Sequence, residues 1–124
     1  MRITPDHKIK NLIVVGDRVL VKPKKHDERT QSGLYLPPGV REKEKLQSGY
    51  VVKVGPGYPL PLPADEDEAW KGREETVKYI PLQAEPGDLA IFLQKGAVEV
   101  MYEEEKYFIV PQSSILMLER ESEI

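Results

Sequence analysis

The chain has 124 residues, with 18 Lys and Arg against 21 Asp and Glu, a formal net charge of −3 and no cysteine. That length fits one domain over residues 1–124 with a modest core, and small domains, which bury a lower share of their surface, often gain from association. The missing cysteine excludes disulfides and thiolate zinc sites, the acidic balance argues against nucleic acid as a partner, and no apolar run approaches the ~18 residues of a membrane helix. Met1 to Asn11 lacks the apolar core of a signal peptide, so a cytoplasmic protein with no membrane partner is expected.

Short Val-rich or aromatic segments separated by turn residues run along the whole chain: Val14–Lys22, Tyr50–Val54, Thr76–Ile80, Leu89–Leu93, Val98–Tyr102, Lys106–Val110 and Ile115–Leu118. This spacing predicts an all-β fold, a small barrel or sandwich. Gly16-Asp17 and Gly87-Asp88 each precede a strand, where glycine reaches backbone angles that other residues avoid. Glu103-Glu104-Glu105 predicts a hairpin turn. The first and last strands are candidates for sheet edges, which proteins either protect or use in assembly. From the residues alone, pairing of both within the chain is the commoner outcome, since most strand pairs are intrachain.

Between the first two strands lies SGLYLPPG, Ser32 to Gly39. Its flanks, KPKKHDERTQ and VREKEKLQ, offer no hydrophobic period. Leu34, Tyr35 and Leu36 therefore read as an exposed apolar patch in a charged surround, the usual mark of a protein-docking site. The alternative is a strand that folds back onto the domain and closes on Pro37-Pro38-Gly39. Lys22, Lys24 and Lys25 are expected to keep the base of this loop hydrated.

Residues 57–87 are rich in proline and acid. Pro59, Pro61 and Pro63 alternate with leucines and favour an extended chain unable to form a regular ladder. Asp65 to Glu68 precede Trp70 and read as a solvated loop or an acidic rim, with one helical turn conceivable around Glu66 to Lys71. Gly55-Pro56-Gly57 is a turn rather than a phosphate loop, since no helix and lysine follow it. His7 and His26 have no metal-ligand spacing. No nucleophile, base and orienting group recur in a catalytic spacing, so neither a catalytic nor a metal site is expected.

Gly16 to Pro23, Gly33 to Pro37, Gly49 to Gly57, Pro86 to Phe92, Tyr107 to Val110 and Ser113 to Leu116, in that order over most of the chain, resemble the GroES family of co-chaperonins, the 10 kDa lids of ring chaperonins. The resemblance implies a GroES-like β-barrel with an extended mobile loop at about 24–47. It also implies a roof loop, here lengthened at about 57–87. Gly33, Leu34, Tyr35, Leu36 and Pro37 would dock on a GroEL-type chaperonin. Ile13, Val14 and Val15 of one subunit would pair with Ile115, Leu116, Met117 and Leu118 of the next, closing a homo-heptamer. The family's role is to cap the chaperonin and help enclose unfolded polypeptide; ATP would be bound by the partner, and the lid itself would carry no cofactor. Two other readings compete. A stand-alone barrel related to the catalytic domain of medium-chain dehydrogenases is opposed by the missing cysteine. A GroES-fold homologue that assembles without a chaperonin is opposed by a loop that keeps Gly33 and both leucines.

Overall fold

The computed structural model describes residues 9–24, 37–39, 45–60 and 78–120. They form β1 (Arg18–Pro23), β2 (Leu46–Val54), β3 (Tyr58–Leu60), β4 (Lys78–Ile80), β5 (Leu89–Leu93), β6 (Val98–Tyr102), β7 (Glu105–Pro111) and β8 (Ile115–Glu119), with single 3-10 turns at Gln94–Gly96 and Gln112–Ser114. Six strands make one antiparallel sheet in the order β6-β7-β1-β2-β5-β8, and β3 pairs with β4 in a separate ribbon.

The alternation in RVLVKP divides β1 between two faces. Val19 and Val21 point inward, opposite Val110 and Phe108 of β7. They join Val51, Ala90 and Phe92 in the main core, where the Phe92 and Phe108 rings meet edge to face at 5.6 Å. Ala97, just before β6, and Ile115 and Leu118 of β8 pack against that same cluster. Residues near opposite ends of the strand order can share one core only if the sheet curls on itself. Gly96 marks the approach, since a Cβ there would collide with the Ser114 hydroxyl. The result is the expected small GroES-like β fold, with no ladder between β6 and β8 among the described residues. On the outer face, Leu20, Val52 and Tyr107 form a second cluster with Ile9.

Two β-bulges break the simple alternation. Leu20 pairs with Lys53 but Val21 with Val51, so β2 carries one extra residue opposite β1. Val52 then packs on the outer cluster, and Lys53 also reaches outward. In β8, Ile91 pairs with Met117 but Phe92 with Ile115, which leaves Leu116 as the extra residue.

The expected segments at Leu89–Leu93 and Val98–Tyr102 match the observed strands. The expected strand from Val14 to Lys22 starts instead at Arg18. Gly16 sits at φ +65°, and its carbonyl accepts from the Gly57 N–H at 3.0 Å; that left-handed kink separates Val14 and Val15 from the ladder. β2 begins at Leu46, four residues before the expected Tyr50, because Gln47, Ser48 and Gly49 pair with β5 without any apolar alternation to announce them.

Pro59 also corrects its expectation, for it lies inside β3 opposite Tyr79. A two-stranded ribbon leaves one side of each strand unpaired, and a missing N–H on that side costs no ladder bond. Pro61, Pro63, the acidic run and Glu66 to Lys71 lie outside the described residues. Glu103 and Glu104, at φ 52° and 68°, make the two-residue turn of the β6–β7 hairpin, while Glu105 already pairs with Tyr102.

Candidate interaction surface

Residues 12–15 run along the outer face without a ladder partner among the described residues. Leu12 and Val14 turn inward against the outer cluster, whereas Ile13 is 85% exposed and Val15 68%. Lys53 holds the backbone, its Nζ donating to the Leu12 carbonyl at 2.7 Å. Beside this segment lies a groove of about 370 Å³ whose lining includes Ile13, Val15, Val100, Met101 and Tyr107.

Among the described residues β8 is an edge strand, hydrogen-bonded to β5 on one side only. Ile115 and Leu118 pack against the main core. The bulge puts Leu116 and Met117 side by side facing outward, 57% and 47% exposed. Strict alternation would have hidden one of the two. The interface residues expected from sequence therefore divide: Ile13, Val15, Leu116 and Met117 face out, while Val14, Ile115 and Leu118 serve the protomer's own packing.

The start of β5 is tied to the end of β8 by a charge pair. Arg120 donates from Nε to Asp88 Oδ1 and from Nη2 to Asp88 Oδ2, both at 2.7 Å, and Nη2 also reaches the Gln83 carbonyl at 3.0 Å. Asp88 is buried and accepts from the Glu85 N–H at 2.9 Å. Bonding to Asp88 raises the Arg120 pKa further above its already high range, so the arginine stays charged. The sequence showed Gly87-Asp88 only as a turn; an ion pair bridging 32 positions has no local signal.

The loop that carries the expected docking tripeptide leaves the sheet between β1 and β2. At its base the Lys24 N–H donates to the Ser48 carbonyl at 3.0 Å, and the Gln94 N–H donates to the Lys45 carbonyl at 2.9 Å. Lys24 is buried, against the expectation of a hydrated side chain, and its backbone continues the β1–β2 pairing. Lys22 is half-buried; its ammonium pairs with Glu105 and lies 5.5 Å from the Tyr107 ring centre. Gly33, Leu34, Tyr35 and Leu36 lie outside the described residues. Pro37, Pro38 and Gly39 are exposed. Among the described residues no His, Cys, Asp or Glu cluster could hold a metal, and no helix is long and apolar enough to cross a membrane.

Among the described residues, a small curled antiparallel sheet presents an edge strand and a segment without a ladder partner, both showing apolar side chains. Comparison with known proteins gives the family. Residues 11–118 match the model of the chaperonin 10 kDa subunit. The chain is 36% identical over 106 residues to the co-chaperonin GroES of Listeria innocua, covering 86% of this chain and 96% of that protein. It is 34% identical over 102 residues to the co-chaperonin GroES of Coprothermobacter proteolyticus, covering 82% and 88%, and 34% identical over 107 residues to that of Bifidobacterium longum, covering 86% and 94%. The chain belongs to the chaperonin 10 family of co-chaperonins.

Proposed function

We propose that this co-chaperonin assembles into a ring, of seven subunits as the family resemblance implies, and caps a GroEL-type chaperonin through Gly33 to Pro37. The observation that carries the reading is a family match spanning nearly the whole chain, residues 11–118. The outward placement of Ile13, Val15, Leu116 and Met117 supports strand pairing between neighbours. The partner chaperonin binds and hydrolyses the ATP, the lid needs no cofactor of its own, and the complex works in the cytoplasm to enclose unfolded polypeptide.

Loop energetics explain why a ring is needed. Burying Leu34, Tyr35 and Leu36 on a partner yields about 5 to 8 kcal/mol gross. Ordering half a dozen loop residues at about 1 to 2 kcal/mol each cancels most of it. One loop binds weakly, whereas several on one ring gain about 10² to 10⁴ in avidity and still release when the chaperonin changes state.

The test is co-elution of the full chain with a ring chaperonin, with and without ATP or ADP. A nucleotide-dependent complex is expected. Leu34→Asp or Leu36→Asp puts a charge into a desolvated groove in every subunit, so the complex should vanish while thermal stability and oligomer size hold. Retained binding by either variant removes the loop from its assigned role.

A further inference from the structure

Residues 12–15 form no ladder among the described residues, yet their side chains alternate in and out as a strand's do. Ile9, which lies before the start of the family match at residue 11, is 1% exposed and sits among Leu20, Val52 and Tyr107. A single turn follows it, closed by the Leu12 N–H donating to the Ile9 carbonyl at 3.0 Å. Lys53 then takes the next length of backbone, with Nζ donating to the Leu12 carbonyl at 2.7 Å and reaching the Lys10 carbonyl at 3.5 Å. Fixing the Leu12 carbonyl fixes the plane of the peptide that leads into Ile13. Lys53 can reach it because the β2 bulge turns both Val52 and Lys53 to the outer face.

We propose that Ile9 and Lys53 form a clasp that presets residues 12–15 as an assembly arm for a second copy of this chain, whose edge strand β8 the arm receives. The proposal rests on the reading that neighbouring copies pair these two segments. An unheld segment would lose its conformational freedom at the moment of pairing and weaken association. An arm already extended, with Ile13 and Val15 aimed outward, avoids most of that loss. Ile9 anchors by burial. Lys53 is a positioning residue: its flexible stem and several donors let one side chain address two carbonyls at once.

The experiment compares the full-length wild type, Lys53→Met and Lys53→Arg by sedimentation velocity over a dilution series, with amide exchange measured below the assembly concentration. Lys53→Met keeps much of the stem and removes the donors. It should raise the concentration for half-assembly about tenfold or more, slow reassembly after dilution and speed exchange at residues 13–15, with the melting temperature of the dissociated protomer nearly unchanged. Lys53→Arg, which can still donate to carbonyls, should restore most of the assembly. A wild type that stays monomeric at tens of micromolar overturns the pairing reading and the clasp with it. A wild-type ring with Lys53→Met assembling at the same concentration and rate overturns the clasp alone. Assembly lost in step with protomer stability, and not rescued by Lys53→Arg, also overturns it.

Discussion

Replacing Ile13 with alanine separates assembly from folding. Ile13 is 85% exposed in the protomer, so nearly all of the ~1.5 to 3 kcal/mol that burial of a large apolar side chain provides is still to be gained. Its truncation should leave protomer stability within about 0.5 kcal/mol, as for an ordinary surface position. In the proposed ring the same change should remove about 1.5 kcal/mol from each subunit contact, roughly a tenfold weakening. Scaled by their exposures, Ile13, Val15, Leu116 and Met117 together offer about 4 to 8 kcal/mol gross per contact, so one residue is a substantial share. Every subunit carries the substitution, and in a closed ring the losses multiply. Sedimentation velocity across a dilution series, beside thermal melts of the dissociated protomer, reads both quantities. An Ile13→Ala protein that assembles at the wild-type concentration, or one whose protomer melts early as a core variant would, refutes the placement. Truncating β8 would be a poorer test, because Ile115 and Leu118 pack against the protomer's own core.

Phe92 is fully buried against Phe108, so Phe92→Ala should cost about 3 to 5 kcal/mol in denaturant melts; a loss below 1 kcal/mol would mean that the core collapses to fill the gap. The Tyr107 hydroxyl is buried with no hydrogen-bond partner among the described residues, so Tyr107→Phe should leave stability unchanged or raise it by up to about 1 kcal/mol. A clear loss there would reveal a partner for the hydroxyl and refute that reading. Glu104 holds φ 68° in the β6–β7 turn, and Glu104→Gly should add about 0.5 to 1 kcal/mol by relieving a left-handed side-chain residue. Equal or lower stability would show that the turn is not strained.

Local patterns in the sequence reached the strands whose apolar residues follow a simple rhythm. LAIFL and VEVMY were bounded correctly as β5 and β6, and the ordered motifs from Gly16 to Leu116 pointed to the family. Those features depend on neighbours one or two positions apart, or on a linear order of motifs, and both are written in the chain. Which side each residue faces was decided only by the folded sheet. The bulges opposite Leu20 and Ile91 depend on how one strand lies against another, and they turn Val52 with Lys53, and Leu116 with Met117, to the same face. Tertiary packing likewise buried Ile9 among Leu20, Val52 and Tyr107 and joined Asp88 to Arg120. It also admitted Pro59 to a strand whose other side is unpaired among the described residues. Period-2 patterning sets a strand's identity, but register, bulge position and contacts between distant residues arise when the sheet closes around a shared core, and those contacts determine which apolar side chains remain exposed.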